Sequence, residues 1–413
     1  MSKKPFSIPK QTVWQAWKQV RAKGGAHGID QVTLQEFETD LKGNLYKIWN
    51  RLSSGTYFPP PLRRVEIPKG NGKTRVLGIP SVGDRVAQAA ICLHFTPLVE
   101  PIFHRDSYGY RPGKSAHEAL EVTQQRCWKY HYVLEFDIVG LFDNLPHSLL
   151  MKAVEKHCQI PWVLLYLGRW LKAGRFDENG MIVVPEKGVP QGSLVGPVLS
   201  NVFMHYAFDA WMSRSFPQYP FCRYADDGLA HVNSMSEANR LRRALEVRFK
   251  QVGLEMHPEK TRVACCRQLK QKYPGIERHF DFLGYRFRQR TGYSEASKRA
   301  FTSMNPGPSP VAMKKIRREI RENWKLKCLL HCDLSAIAAR FNPIIRGWYA
   351  YYSRFDRIEM RKLSQYLNTQ LKRWARRKYK SLRYRKVRSS DWLKRVYSRE
   401  PKLFAHWNYD AAF

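Results

Sequence analysis

The sequence predicts an α+β body followed by a strongly basic helical region. Three observations carry this. Short strand-like apolar runs alternate with capped helical stretches up to about residue 290. Residues 291–310 are rich in Ser, Gly and Pro, and beyond Val311 the pattern turns helical and basic. The 413 residues hold 71 Lys or Arg against 35 Asp or Glu, a formal charge of +36. A hydrophobic content of 43% and an aromatic content of 13% exclude a disordered polycation, which lacks the apolar surface to offset ordering entropy. At about 150 residues per domain, the length allows two or three domains. A folded chain this basic expects a polyanionic partner, nucleic acid first and an acidic membrane surface second.

The elements justify themselves in order. Thr33-x-x-Glu36, Ser81-x-x-Asp84, Ser115-x-x-Glu118 and Ser234-x-x-Glu237 are helix-start patterns, in which a hydroxyl and a carboxylate satisfy the first orphan amides. Strand-like runs cover Tyr132–Val139, Met181–Val184, Gly228–Val232 and Phe280–Phe287. Residues 291–310 read as a linker or exposed hairpin. Phe341, Ile345, Trp348, Tyr352 and Phe355 then recur at helical spacing and read as core packing. Arg346, Arg354 and Arg357 fall off that stripe, where they would face phosphates. Residues 371–400 carry 13 Lys or Arg against Asp391 and Glu400. Trp374, Tyr379, Tyr384 and Trp392 interleave with those charges, which favours stacking on bases beside phosphate contact. Lys372, Arg373, Arg376 and Arg377 open this run and are its candidate phosphate ligands.

Other classes fall away. No stretch approaches about 18 consecutive apolar residues, so no membrane span is expected. The N-terminus has no apolar signal core, and the eight scattered cysteines fit a reducing compartment. A cytoplasmic, nucleoid-associated location follows as the expectation. Cys328, His331 and Cys332 lack the second ligand pair that a zinc site needs.

The sharpest local signal is Phe221-Cys-Arg-Tyr-Ala-Asp-Asp-Gly-Leu-Ala-His-Val232. Adjacent carboxylates repel, and burying them uncompensated is costly. A hard divalent cation removes both penalties, because Mg²⁺ takes oxygen ligands from one or two carboxylates plus substrate phosphates. The bland alternative is a surface Asp-Asp turn. A partner acid, Asp137, stands in the apolar run Glu135-Phe-Asp-Ile-Val-Gly-Leu-Phe-Asp143. Asp137 beside Asp226 would clamp two metals for in-line nucleotidyl transfer.

These motifs resemble reverse transcriptases, and most of all the bacterial group II intron reverse transcriptase/maturases. Tyr224-Ala-Asp-Asp227 looks like their catalytic box, and the similarity runs from Gly25-Ala-His-Gly-Ile-Asp30 to Leu403-Phe-Ala-His-Trp407. The resemblance implies Asp137, Asp226 and Asp227 as the catalytic acids. Asp137, Asp226 and the Ile138 carbonyl would hold two Mg²⁺ ions, with Mn²⁺ able to substitute. Val65-Glu-Ile-Pro-Lys-Gly-Asn-Gly-Lys-Thr-Arg75 is similar to the family's fingers hairpin, so Lys69 and Arg75 are expected on the triphosphate. Phe142 matches the steric gate against a 2′-hydroxyl, Gln191 in Gly188-Val-Pro-Gln-Gly192 a contact to the incoming nucleotide, and Lys260 the palm lysine. Ser107-Tyr-Gly-Tyr-Arg-Pro-Gly-Lys-Ser115 resembles a block near the template, where Arg111 and Lys114 would meet phosphates, Arg111 being equally readable as an ion-pair partner. Phe280-Asp-Phe-Leu-Gly-Tyr285 looks like the primer grip, and Phe341-Asn-Pro-Ile-Ile-Arg-Gly-Trp-Tyr-Ala-Tyr-Tyr352 like the maturase helix. Val139 stands where many relatives carry Lys.

The implied architecture is a right-hand polymerase, fingers and palm, followed by an all-helical thumb/maturase domain. Residues 1–130 would form the N-terminal extension and fingers, with the palm beginning in their last part; 131–290 the palm; 291–310 the linker or hairpin; 311–375 the thumb/maturase; and 376–413 a basic C-terminal region. The Cys-rich nuclease domain of many relatives has no counterpart in these residues, so a primer from elsewhere is expected. The expected partners are a group II intron RNA, an RNA template with its DNA primer, dNTPs and target DNA, with no membrane. The expected activity is RNA-directed DNA synthesis with help to intron splicing. Rivals are a free-standing relative serving repair or phage defence, a splicing-only RNA-binding factor, and an RNA-templated RNA polymerase.

Overall fold

A computed structural model describes residues 4–70, 73–176, 182–267, 276–294 and 299–409. The chain divides into two units, one of residues 1–122 and 132–263, the other of 123–131 and 264–413. Each has its own apolar core.

The first unit is built on a sheet in the order Phe221–Tyr224, Asp227–Val232, Tyr132–Phe136 and then Arg262–Cys265, at which the unit ends, the first three strands running antiparallel. Tyr132 pairs with Val232 and Phe136 with Gly228. The helix Met235–Gln251 lies on these strands and buries Ala238, Leu241, Leu245 and Phe249. That three-to-four-residue spacing is the apolar stripe of an amphipathic helix, and each large side chain contributes about 1.5–3 kcal/mol on burial. The expected Ser234/Glu237 box caps it, as the Thr33/Glu36 box caps Leu34–Thr39. The N-terminal helices Lys10–Lys23 and Leu41–Ser53 pack against Val82–Val99. Val82–Val99 is apolar nearly all round and therefore buried. A hairpin of Arg63–Gly70 and Lys73–Ile79 follows those helices. The strand expected at Met181–Val184 is the short Ile182–Val183, paired with Arg175–Phe176, and Met181 lies outside the described residues.

In the second unit the run Phe280–Phe287 is two strands, not one. His279–Phe282 and Tyr285–Ser294 are joined by a turn in which Leu283 (φ 51°) and Gly284 (φ 77°) are both left-handed. Arg299–Pro308 pairs with the second strand from Tyr285↔Pro308 to Ser294↔Arg299. The described residues among 291–308 therefore belong to two paired strands, the second of which leads directly into the helix Pro310–Glu322, while 295–298 lie outside the described residues. The helices Leu334–Tyr352 and Arg357–Lys378 complete a bundle around Met313, Ile316, Phe341, Ile345, Leu363 and Leu367. Trp324 stacks on Phe341 at 4.1 Å and on Trp348 at 5.7 Å, so that stripe is core. The segment Leu403–Trp407 is tied down by two buried asparagines. Asn342 Nδ2 donates to the Leu403 carbonyl at 2.9 Å, and Asn368 Oδ1 accepts from Trp407 Nε1 at 2.9 Å.

All eight cysteines are unbridged. Among the described residues no helix is long and apolar enough to cross a membrane.

Candidate active site

The Phe221–Tyr224 and Asp227–Val232 strands are joined by Ala225 and Asp226 alone, since Tyr224 pairs with Asp227. A two-residue hairpin needs positive φ at its first central position, and Ala225 supplies it at 58°. Glycine is the ordinary choice, and alanine there costs about 1–2 kcal/mol that surrounding contacts must offset. Two glycines make room for the turn. A Cβ on Gly109 would meet Ala225 N at 2.5 Å, and one on Gly228 would meet the Phe136 ring at 2.1 Å.

Phe136 faces Gly228 in the register, so the next residue, Asp137, comes level with Asp227. Three acids thereby share one electrostatic neighbourhood. The Asp227 carboxyl is pushed up to about 7 by burial, then by Asp226 and Asp137, with Lys260 opposing. Asp137 is 6% exposed, and the Lys260 ammonium bonds its Oδ2. Burial pulls the Lys260 ammonium down, but its bond to Asp137 and the fields of Asp137, Asp227 and Asp226 outweigh that and hold it raised. Ile138 is buried and bridges Met256. That bridge uses Val139 N–H to Glu255 and His257 N–H to the Asp137 carbonyl, which leaves the Ile138 carbonyl outside it. Among the described residues no three His, Cys, Asp or Glu side chains are grouped so as to hold a metal ion by themselves. The donor set is nonetheless all hard oxygen, which suits a cation that keeps part of its shell for water and phosphate.

The other residues expected at the substrate lie in the same unit. Phe142 sits in the short helix Leu141–Asn144 behind Gly140 (φ 52°), 9% exposed, edge-on to Tyr110 at 6.3 Å. Gln191 Nε2 donates to Asp143 Oδ2 at 2.8 Å, and the Gln191 carbonyl accepts from Gly78 N at 2.8 Å. The Leu141–Asn144 helix, the Gln191 loop and the Lys73–Ile79 strand are therefore joined directly. The side chains of Lys69 and Arg75 lie outside the described residues.

For Arg111 the ion-pair alternative is the one seen. Its guanidinium donates to Glu100 Oε1 at 2.8 Å and to the His104 and Ser107 carbonyls, each at 2.7 Å. Only 7% of that side chain is exposed, so it braces the loop instead of reaching a template. Lys114 is turned back toward the Arg105 carbonyl at 3.2 Å.

In the second unit Arg346, Arg354, Arg357, Arg373 and Arg377 are exposed, and Lys372 and Arg376 half-buried. Burial, then Lys394 and Arg376, push the Lys372 ammonium down, a crowding of like charge that a polyanion relieves. The expected stacking aromatics are corrected in part. Trp374 is buried with Nε1 donating to the Leu329 carbonyl at 3.0 Å, and Tyr379 packs on Trp392 at 5.7 Å. Only Tyr384 of the four is fully open to solvent. Sequence reasoning missed a groove of about 840 Å³ in the same unit, whose walls carry Arg278, Arg286, Arg288, Arg290, Arg317 and Lys362. Its arginines come at alternate positions on one strand, a period-two cue visible in Arg286-x-Arg288-x-Arg290. It also missed Asp143, Gln88 and the Arg223–Asp209 pair. For Arg223 the signal was a cation inside an otherwise uncharged strand, which demands a buried acid.

Comparison with known proteins bears on these residues. Residues 67–287 match the reverse transcriptase (RNA-dependent DNA polymerase) family, and residues 313–392 match the group II intron maturase-specific domain. The chain belongs to that reverse transcriptase family. It is an RNA-directed DNA polymerase carrying an intron-maturase domain. It is 33% identical to protein YkfC of Escherichia coli (strain K12) over 315 residues, 66% of this chain and 79% of that protein. It is 35% identical to the group II intron-encoded protein LtrA of Lactococcus lactis subsp. cremoris over 160 residues, 38% of this chain and 26% of LtrA. Telomerase from Candida albicans, solved with a telomeric RNA fragment, superposes with a TM-score of 0.46 at 12% identity over 92% of this chain and 68% of that one.

Proposed function

We propose that the protein binds a group II intron RNA, assists its splicing and copies RNA into DNA from a DNA primer, using dNTPs. The observation that carries the polymerase half is the meeting of Asp137, Asp226 and Asp227 with Lys260 beside a buried aromatic gate. Asp137, Asp226 and the Ile138 carbonyl would hold two Mg²⁺ ions, or Mn²⁺ in their place. When bound, such ions lower the pKa of a primer 3′-hydroxyl and neutralise the leaving pyrophosphate.

The chain's own residues do the rest. Asp227 keeps the carboxylate cluster anionic once its proton leaves. Lys260, held protonated, places a donor beside Asp137, where charge develops on the transferred phosphate. Phe142 fills the space under the sugar and discriminates against a 2′-hydroxyl. Gln191, latched to Asp143, offers the incoming nucleotide a fixed polar contact. The maturase half is supported by the domain match at 313–392 and by the arginine groove with the exposed cations Arg346, Arg354 and Arg357.

Two measurements test this reading. Extension of a DNA primer on an RNA template should occur with Mg²⁺ and dNTPs and be lost in Asp226→Ala. RNA that co-purifies from the native host should be dominated by one intron-sized species whose splicing the protein accelerates. A broad RNA mixture with no effect on splicing would instead support the free-standing polymerase.

A further inference from the structure

We propose that Arg223 is a positioning residue for DNA synthesis, a buried strap that holds the Ala225–Asp226 turn in the shape its acids need. The inference rests on the reading of Asp226 and Asp227 as the catalytic acids.

Arg223 lies one residue before the catalytic box, and neither it nor Asp209 is exposed at all. Its five N–H groups make five bonds. Nε donates to Asp209 Oδ1 at 2.7 Å, and Nη2 donates to Asp209 Oδ2 and to Ser107 Oγ, each at 2.7 Å. Nη1 donates to Asn201 Oδ1 and to the Ala225 carbonyl, each at 3.1 Å. The last bond is the informative one, because it grips the left-handed residue of the turn itself. Asn201 closes a ring by donating from Nδ2 to the Gly109 carbonyl at 2.8 Å, and Gly109 is the residue on which Ala225 N rests. Backbone bonds run alongside, from Tyr108 N to the Arg223 carbonyl and from Arg223 N to the Asp106 carbonyl, both 2.9 Å.

The anchor is unusual. Asp209 ends a π-helical turn, His205–Asp209, inserted between Gly196–Met204 and Ala210–Ser215. Such turns carry one extra residue and swing the following side chain off the regular helix face. The carbonyls of Tyr206 and Ala207 within it accept from Arg248 at 2.9 and 3.0 Å. A buried ion pair is weak as a stability device, since apolar side chains of the same volume usually do as well. What apolar packing cannot supply is a directed bond to the Ala225 carbonyl. A lysine can reach one such acceptor but cannot grip both Asp209 oxygens and the Ala225 carbonyl at once, because its three donors do not form a planar fork.

The test uses the full chain with Arg223→Lys, Asn201→Ala and Asp226→Ala. Three readouts are taken below the melting temperature: kcat per titrated active site, KM for dNTP, and Mn²⁺ affinity by electron paramagnetic resonance without nucleic acid. Arg223→Lys should lower kcat about 100-fold through misplaced acids and weaken Mn²⁺ about tenfold. The dNTP KM should stay within about threefold. If Arg223→Lys does not fold, Asn201→Ala decides by the same readouts, with about a tenfold loss of kcat expected. A purely structural arginine would lower the melting temperature and leave kcat and Mn²⁺ affinity of the folded variant within about threefold of wild type. That result, with Asp226→Ala inactive, overturns the strap alone. An active Asp226→Ala overturns the underlying catalytic reading instead.

Discussion

Replacing Gln88 by alanine should destabilise the first unit and raise the KM for dNTP together. Gln88 is fully buried in the helix Val82–Val99, beneath the loop that carries Gln191. Its Oε1 accepts from Ser193 Oγ at 2.9 Å and from Leu194 N at 2.7 Å, with a longer contact to Val195 N at 3.4 Å. Its Nε2 donates to Asp84 Oδ2 at 2.9 Å. Asp84 is itself buried and also accepts from Tyr57 Oη at 2.7 Å and Trp170 Nε1 at 2.9 Å. Burial pushes the Asp84 carboxyl up, and the bonds from Tyr57, Trp170 and Gln88 oppose that. In Gln88→Ala two well-formed buried donors lose their acceptor, at about 1–3 kcal/mol each, and Asp84 loses one of its three donors, at about 1 kcal/mol. The total is about 3–7 kcal/mol, measurable by urea unfolding. The freed Ser193–Val195 loop would carry Gln191 out of place, so steady-state extension should show a raised dNTP KM. A loss below about 1 kcal/mol with an unchanged KM would refute the argument that this network holds the loop.

Three further outcomes follow from the geometry. Phe142→Ala should admit NTPs, read as the ratio of rNTP to dNTP incorporation on one template; an unchanged ratio would remove Phe142 from the gate. Asp227, at about 7, is largely protonated below neutrality, and a cation held at the neighbouring Asp137 and Asp226 binds more tightly once that proton has left. Apparent Mg²⁺ affinity should therefore fall, by at most about tenfold per pH unit, as pH drops below 7 and level off above it, in a titration of extension rate. A response that stays flat from pH 5.5 to about 8 would contradict it. His406 is buried and neutral, pushed down to about 3 by burial, with Nε2 against Asn368 at 2.9 Å. Its folded value is depressed, so its contribution is full above the ordinary value of 6.5 and lost as pH falls toward 3. The second unit should lose about 1.4 kcal/mol per pH unit in that window, and His406→Gln should flatten the loss.

The parts of the molecule that were legible in the sequence depend on near neighbours. Capping boxes at Thr33 and Ser234 are three-residue patterns, and both form. The adjacent acids and Gly228 lie within one hairpin, and Asp137 declared itself as a charge in an apolar run. What was not legible depends on partners far along the chain. Trp374 and Tyr379 alternate with arginines as base-stacking residues would, but a basic helix with one buried face shows the same pattern. The Phe280–Phe287 run alternates apolar and polar residues as a single strand would, and the left-handed pair at Leu283 and Gly284 folds it back. Arg111 and Arg223 look alike in sequence as lone cations near motifs. Their partners, Glu100 and Asp209, are 11 and 14 residues away and are reached only through the fold.

The central claim is that Asp137 and Asp226 hold the divalent cations of polymerisation. Electron paramagnetic resonance of Mn²⁺ tests it most directly, with the protein bound to a primer on an RNA template and a non-hydrolysable dNTP. Two bound ions are expected in wild type, with at least one lost in both Asp137→Ala and Asp226→Ala while primer–template affinity is unchanged. Two ions retained in both variants would place the metal elsewhere and contradict the account.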